Sequence, residues 1–225
     1  MSSLALLKKS RECMGVMNQA AWTRPPRRSD EDTFAFNWSG REGLGTLRGS
    51  TVGILGFGEI GRELANRLRG FETVVLYHKR RRIPPAAEKQ IAITYAEPPD
   101  LLRRADVVYG LLPYAPGGAQ SLNAAFFAQM KPGAFFVFCG GSGMVDEAAL
   151  IEALRSGHLA GAALDTYTME PLPADSPLLA LHRDLSVNLV LTPHVAGGTL
   201  SGARAADYTN LTRLLAGEKL LYQAA

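Results

Sequence analysis

A glycine-rich stretch, Gly56-Phe57-Gly58-Glu59-Ile60-Gly61, has the spacing Gly-x-Gly-x-x-Gly. It directly follows the apolar run Thr51–Leu55 and opens an amphipathic pattern, so it lies between a predicted strand and a predicted helix. In that setting Gly56 permits a tight turn, Gly58 lets a ligand approach the backbone, and Gly61 lets the helix pack on the strand. The helix start adds free N–H groups that suit phosphate. The six residues are therefore predicted to bind the pyrophosphate of a dinucleotide.

A basic cluster follows the second predicted strand. About 20 residues beyond such a loop, sites that prefer NAD carry a carboxylate that binds the ribose hydroxyls. This chain has His78 there, and Lys79, Arg80, Arg81 and Arg82 follow. The cluster removes the repulsion against a 2′-phosphate, and guanidinium groups match phosphate in geometry. We expect NADP(H) to be preferred over NAD(H), with His78, Lys79 and Arg80 in contact with it. The alternative is that these charges are only solvated.

Further candidates stand directly after the other predicted strands, because ligands of an open parallel sheet bind beyond the carboxyl ends of its strands. These candidates are Leu112-Pro113, Cys139-Gly140-Gly141, Asp165 and Thr192-Pro193-His194. Of the four histidines, only His78 and His194 stand at a strand end. His194 is therefore a candidate for proton transfer, and a structural role is its alternative.

The elements that would position these residues alternate between short strands and amphipathic helices, which is typical of a parallel, doubly wound α/β sheet. The predicted strands are Thr51–Leu55, Thr73–Tyr77, Asp106–Leu112, Ala134–Phe138, Gly161–Leu164 and Leu189–Leu191. The predicted helices are Leu4–Gln19, Glu59–Arg69, Val145–Arg155 and Ser201–Gly217. The stripes expected to face the core are Ile60, Leu64 and Leu68 in one helix and Leu150, Ile151 and Leu154 in another.

The pattern divides the chain into three segments. Residues 1–50 are predicted to form a linking helix and a connector, residues 51–198 the dinucleotide-binding domain, and residues 199–225 a C-terminal helix. Pro25-Pro26 and the acidic triplet Asp30-Glu31-Asp32 mark the connector. With 225 residues, of which 47% are hydrophobic, the chain is expected to bury a core.

Composition argues against several classes of partner. Much of the basic excess behind the net charge of +3 lies in two clusters, Arg24–Arg28 and Lys79–Arg82, which does not indicate a nucleic-acid-binding face. The longest apolar run, Ala134–Cys139, is too short to cross a bilayer, and the first twenty residues lack a signal-peptide core. We expect a cytoplasmic protein without a membrane partner. Cys13 and Cys139 have no metal or disulfide spacing, so no metal site is expected.

From about Ser3 onwards the chain resembles the D-isomer-specific 2-hydroxyacid dehydrogenases. The motifs that carry the resemblance keep the family's order: Thr51–Gly61, Met130–Ala134, Val145–Leu150, Gly157–Asp165, Glu170-Pro171 and Leu191–His194. The resemblance implies a Rossmann-type domain in an NAD(P)-dependent oxidoreductase. It implies hydride transfer between a nicotinamide and a small 2-hydroxy or 2-keto acid, and it implies a homodimer.

The resemblance also implies roles for individual residues. His194 would move the proton, and Glu170 would raise the pKa of that histidine, as a nearby carboxylate does. Asp165 would bind the nicotinamide carboxamide. The remaining cofactor contacts are expected at Leu112, Pro113, Cys139, His194 and Gly197.

Two features depart from the family's pattern. The family's substrate-binding arginine lies five residues before the aspartate of the Val-Asp-Glu motif, and here that position is Gly141. By analogy with an oxyanion donor, the loss is expected to cost roughly 10²-fold to 10³-fold in rate. Family members also begin with a substrate-binding domain of about a hundred residues, whereas this chain is expected to begin near the linking helix that follows that domain.

Three hypotheses stay open at this point. The first is an oxidoreductase of this family, and the second is a non-catalytic NAD(P)-binding or sensing module. The third is a gene fragment without a stable fold. The intact His194, Glu170 and Asp165 favour the first hypothesis, and Gly141 favours the second.

Overall fold

The computed structural model describes residues 1–23, 25–26, 37–115, 117–197, 209–219 and 221. Residues Met1–Thr192 form one unit, and residues Pro193–Ala225 form another. The first unit contains the sheet.

The sheet has seven strands, and every neighbouring pair is parallel. The strands are β1 (Thr51–Leu55), β2 (Val74–His78), β3 (Ile93–Tyr95), β4 (Val107–Gly110), β5 (Ala134–Phe138), β6 (Leu159–Leu164) and β7 (Leu189–Leu191). Their order is β3-β2-β1-β4-β5-β6-β7, so the strand order reverses at β1. The predicted doubly wound α/β sheet is confirmed, with the ligand crevice expected at this reversal.

The described residues of the first unit contain eight helices, of which two precede β1 and six connect successive strands. They are α1 (Ser2–Leu7), α2 (Ser10–Gln19), α3 (Glu59–Leu68), α4 (Pro85–Ile91), α5 (Pro98–Arg104), α6 (Ala124–Gln129), α7 (Glu147–Arg155) and α8 (Pro177–Arg183), and a 3-10 turn at Arg69–Phe71 follows α3. The sequence prediction missed β3 and four helices, α4, α5, α6 and α8. Each of these spans only three to seven residues, which is too short to show a period.

Alternating strand residues supply two buried layers, one on each face of the sheet. Val52 and Ile54 contribute to one layer with Ala65 and Leu68 of α3. The other layer holds strand residues that point to the opposite face of the sheet, together with buried residues of α5, α6, α7 and α8. In α7, the predicted stripe of Leu150, Ile151 and Leu154 is buried, which confirms that prediction.

The N-terminal segment is two helices, so the prediction of one helix over Leu4–Gln19 is wrong. The helical conformation is interrupted at Lys9, whose φ is 46°. The break separates α1, which packs on β5, β6 and β7, from α2, whose Arg11 guanidinium donates to the backbone carbonyls of His182 and Leu189. The hydrophobic pattern could not show this turn because both helices contain apolar residues at similar spacing.

The stripe predicted on α3 is confirmed at Leu68, which is buried, and at Leu64, which packs against the same core, but it is wrong at Ile60. Ile60 is 64% exposed, and the buried positions are Gly61, Ala65 and Leu68. Gly61 lies on the side of α3 that packs on the sheet. A Cβ there would lie only 2.9 Å from the Gly56 carbonyl oxygen, so a residue with a side chain does not fit at this position. The helix therefore turns its glycine inwards and its isoleucine outwards.

In the second unit, residues 209–215 are helical, which agrees with the end of the helix predicted over Ser201–Gly217. Its beginning, residues 201–208, lies outside the described residues. So do Arg24, residues 27–28 of the first basic cluster and the triplet Asp30-Glu31-Asp32. Within the described residues, no helix has the length and apolar character needed to cross a bilayer.

The burial of α1 predicts unequal effects of two leucine truncations. Leu6 is fully buried and Leu4 is 38% exposed. We expect Leu6→Ala to lower the free energy of unfolding by about 2–5 kcal/mol and Leu4→Ala by less than about 1 kcal/mol. Denaturant unfolding measures both values, and equal losses would contradict the packing of α1 on the sheet.

Candidate active site

The glycine loop begins where β1 comes very close to the segment after β4. A Cβ on Gly56 would lie 2.6 Å from the Leu111 carbonyl oxygen. Gly56 also has a φ of 92°, which favours glycine. Its N–H donates to the His78 carbonyl over 3.1 Å, so the loop is fixed to the end of β2.

Gly58 leaves an open space at the start of α3. A Cβ there would meet no atom within 4 Å, and Gly58 precedes the helix without a side-chain cap. The first N–H groups of α3 therefore face a space that a phosphate can fill. The residues present fit a dinucleotide. Phe57 is buried and its ring lies 4.6 Å from that of Tyr77, whereas Glu59 and Ile60 are exposed.

The basic cluster stands beside the glycine loop. His78 pairs with Leu55 in the β1–β2 register, and Lys79, Arg80 and Arg81 are exposed directly after it. The His78 Nδ1 atom lies 3.3 Å from the Ala96 carbonyl oxygen and 3.9 Å from the Glu97 carboxylate. The acidic residue Glu97, on the segment that follows β3, therefore lies near the cluster.

Arg82 is engaged within the protein. Its Nε and Nη2 atoms donate to the two carboxylate oxygens of Glu88, each over 2.7 Å. Tyr77 Oη donates to Glu88 Oε1 over 2.6 Å and accepts from the Ile83 N–H over 3.2 Å. These bonds lower the pKa of Glu88 to about 2, with the Arg82 bond as the largest cause. Arg82 therefore differs from the other three basic residues with which the sequence grouped it.

Another group of predicted residues meets at the carboxyl ends of β5, β6 and β7. Asp165 follows β6, is 3% exposed, and accepts from Thr192 Oγ1 over 2.6 Å. Cys139 follows β5, and burial, reinforced by Asp165, raises the pKa of its thiol to about 11. Tyr167 Oη lies 2.7 Å from the Thr192 carbonyl oxygen. These contacts fix the segment after β6 against the end of β7.

Glu170 connects the segments that follow β5 and β6. Its Oε1 atom accepts from the Tyr167 N–H over 2.9 Å and from Ser142 Oγ over 3.1 Å. The side chain is exposed. Its carboxylate is thus held beside the residue that follows Gly141.

Gly141 lies against the backbone of Tyr114. A Cβ on Gly141 would be 2.2 Å from the Tyr114 nitrogen and 2.6 Å from its Cα. The Gly141 N–H donates to the Leu112 carbonyl over 2.8 Å, which holds the two segments together. Leu112 is half-buried, and Pro113 and Tyr114 are exposed. The structure therefore leaves no room for a side chain at position 141.

His194 and Gly197 belong to the second unit. Both are exposed, and His194 has a φ of 53°. Their chain positions are two and five residues beyond Thr192, the last residue of the first unit.

Residues 16–196 match the family described as D-isomer specific 2-hydroxyacid dehydrogenase, NAD binding domain. The match covers most of the chain. The chain belongs to this family. The parallel sheet of the first unit and its flanking helices agree with the dinucleotide-binding fold of these dehydrogenases.

Relatives in the family share this region of the chain. A glyoxylate/hydroxypyruvate reductase B from Citrobacter koseri is 43% identical over 150 residues, which are 66% of this chain and 44% of that protein. A glyoxylate reductase from Paecilomyes thermophila matches with a TM-score of 0.79 and 27% identity, over 99% of this chain and 62% of that one. A D-isomer specific 2-hydroxyacid dehydrogenase from Xanthobacter autotrophicus Py2, solved with NADPH and MES, gives a TM-score of 0.74 and 28% identity, over 99% and 83%. The chain spans less than half the length of the reductase B relative it matches.

Several residues that shape this dehydrogenase domain were not predicted from the sequence. Tyr114 contacts Gly141, and Ser142 donates a hydrogen bond to Glu170. The sequence does not show these tertiary contacts. Glu88 lies on a helix too short to predict. The adjacent glycines Gly140 and Gly141 were the available signal, because consecutive glycines after a strand indicate a close approach of another backbone.

The contact at Gly141 predicts a large effect of a single methyl group. We expect Gly141→Ala to lower the free energy of unfolding by about 1–3 kcal/mol, since Tyr114 must move. Gly58→Ala is the matched control, with a change within about 0.5 kcal/mol. Denaturant unfolding measures the free energy of unfolding of both variants. A Gly141→Ala variant as stable as the parent would show that the space at position 141 is open.

Proposed function

We propose that the chain is an NADP(H)-dependent oxidoreductase that acts on a small 2-hydroxy or 2-keto acid. The proposed cofactor preference rests on the basic residues that follow β2. Lys79, Arg80 and Arg81 are exposed there. They follow His78, whose backbone carbonyl accepts a hydrogen bond from the Gly56 N–H. A 2′-phosphate bound beside this loop would meet cations where NAD sites have a carboxylate. A relative from Xanthobacter autotrophicus Py2 was solved in complex with NADPH.

Glu97 is the acidic group that opposes this preference. Its carboxylate lies 3.9 Å from His78, and it also accepts a hydrogen bond from Tyr95 Oη over 2.9 Å. The Tyr95 hydroxyl binds one of its carboxylate oxygens, and Glu97 keeps its negative charge. Three exposed cations outnumber it, so the local field favours the additional phosphate.

In the reaction, the bound cofactor would supply or accept the hydride at the substrate carbon. By the family resemblance, His194 would donate or accept the proton at the substrate oxygen and Glu170 would favour its imidazolium form. Asp165 would orient the nicotinamide through its carboxamide. Leu112, Pro113, Cys139 and Gly197 would complete the contacts with the cofactor.

A second candidate function, a non-catalytic NADP(H)-binding module, is favoured by the contact between Gly141 and Tyr114. An arginine at this position would bind a substrate carboxylate through charge-assisted bonds. Here the Tyr114 backbone fills the space from which such a side chain would start. Gly141 is not among the residues proposed to bind the cofactor, so binding and turnover can be measured separately.

We also propose that the protein is a cytoplasmic homodimer. Met14 is 64% and Met17 is 56% exposed on α2, an apolar surface that a second copy would cover. Cys13 and Cys139 are free thiols, as expected in a reducing compartment. Light scattering on the purified chain measures the oligomeric state, and a monomer at micromolar concentration would contradict the dimer.

The cofactor preference predicts unequal affinities for two nucleotides. We expect NADPH to bind at least about tenfold more tightly than NADH, and Arg80→Ala to weaken NADPH by about tenfold through the loss of a charge-assisted bond. Titration calorimetry measures both affinities. Arg62→Ala, on the exposed side of α3, is the control. Equal or tighter binding of NADH by the parent chain would reject the preference.

The reaction predicts turnover that depends on one histidine. We expect the purified chain to oxidise NADPH with glyoxylate, hydroxypyruvate or pyruvate, and His194→Gln to reduce the rate by about 10²-fold or more. Absorbance at 340 nm follows the oxidation. Tight NADPH binding without turnover above background would reject the enzyme in favour of the binding module.

A further inference from the structure

Three side chains at the end of β2 form a closed hydrogen-bonded group, here called the Tyr77–Arg82–Glu88 cluster. Tyr77 belongs to β2, Glu88 to α4, and Arg82 to the loop between them. Arg82 makes a bidentate ion pair with Glu88, and the Tyr77 hydroxyl donates to the same carboxylate. Arg82 also lies over the ring of Tyr95, with its guanidinium carbon 5.3 Å from the ring centre. Each partner is thus held by at least two contacts.

The loop after β2 is fixed at both ends, by a bond to the glycine loop at one end and by the cluster at the other. On one side the loop leaves β2 at His78, whose carbonyl accepts from the Gly56 N–H. On the other side Arg82 is bound to Glu88, and the Ile83 N–H donates to Tyr77 Oη over 3.2 Å. Residues 79–81 lie between these two fixed points, and all three are exposed.

The closed loop carries three adjacent positive charges. Like charges repel one another, and fixing each residue in one conformation also costs conformational entropy. The fourth cation of the run is Arg82, and the buried carboxylate of Glu88 offsets its charge. Glu88 thereby reduces the repulsion within the run. The cluster therefore supplies the interaction that holds a charged loop in one conformation beside the glycine loop.

We propose that Tyr77, Arg82 and Glu88 are positioning residues for cofactor selectivity: they hold Lys79, Arg80 and Arg81 in place for the 2′-phosphate without contacting it. This inference rests on the proposed preference for NADP(H). A loop released from the cluster must be ordered when the 2′-phosphate binds, and that cost reduces the affinity for NADPH. NADH lacks the 2′-phosphate, so its affinity does not depend on the loop.

A single substitution separates positioning from direct contact by the sign of its effect. If Arg82 bound the phosphate itself, Glu88→Gln would release Arg82, remove a negative charge and strengthen NADPH binding. If the cluster positions the loop, the same substitution weakens NADPH binding although it removes a negative charge. The introduced amide can still accept hydrogen bonds, and Arg82 is half exposed, so this variant is expected to fold.

The experiment measures NADPH and NADH dissociation constants of the full chain by titration calorimetry. We expect the NADPH-over-NADH preference to fall about tenfold in Glu88→Gln, which corresponds to about 1.4 kcal/mol, with NADH affinity unchanged. The double variant Arg82→Met/Glu88→Leu removes the cluster without leaving an unpaired buried charge, and it should lose as much preference. Glu72→Gln is the matched control, because Glu72 forms an exposed ion pair with Arg48 over 2.9 Å just before the start of β2.

Limited proteolysis with trypsin provides a readout that needs no cofactor. The double variant should be cleaved several-fold faster after Lys79, Arg80 or Arg81 than the parent chain, because the loop opens more often. An unchanged cleavage rate, or a preference that Glu88→Gln leaves intact or increases, overturns the inference while the parent's own preference for NADPH still stands. A parent chain that binds both nucleotides equally overturns the proposed preference and the inference together.

Discussion

At Gly56 the backbone after β1 approaches the backbone after β4 so closely that no side chain fits between them. This contact occurs where the strand order reverses, and the other features of the cofactor site are arranged around it. Gly61 packs on the Gly56 carbonyl, which sets the position of α3 and the direction of its free N–H groups. The Gly56 N–H binds the His78 carbonyl, which sets the position of the basic loop. One close approach thus aligns the groups that could bind a pyrophosphate and a 2′-phosphate.

A second close approach, at Gly141, has the opposite consequence. At Gly56 the close approach lets the chain turn towards the open start of α3 at Gly58, whereas at Gly141 the approach of Tyr114 leaves no room for a side chain. Both glycines approach the segment that follows β4, Gly56 at Leu111 and Gly141 at Tyr114. A chain with this glycine loop can thus lack room for a side chain at position 141.

The sequence predicted the parts of this structure that depend on local pattern. β1, β5 and β7 were placed at their observed bounds because each is a short apolar run between clear turn signals. Ile60 was assigned to the wrong face because a period-based stripe cannot show that Gly61 must face Gly56. Arg82 was grouped with its neighbours because charge alone does not show that Glu88, six residues later on a short helix, binds it. Contacts such as Tyr114 with Gly141 depend on tertiary approach, which no local pattern encodes.

The central claim, that exposed cations after β2 select the 2′-phosphate while Arg82 remains bound to Glu88, is tested most directly by a crystal structure of the chain with NADPH. The account predicts phosphate oxygens within hydrogen-bond distance of at least one of Lys79, Arg80 and Arg81, with the Arg82–Glu88 ion pair unbroken. A structure in which Arg82 leaves Glu88 to bind the phosphate, or in which the 2′-phosphate points away from this loop, would contradict it.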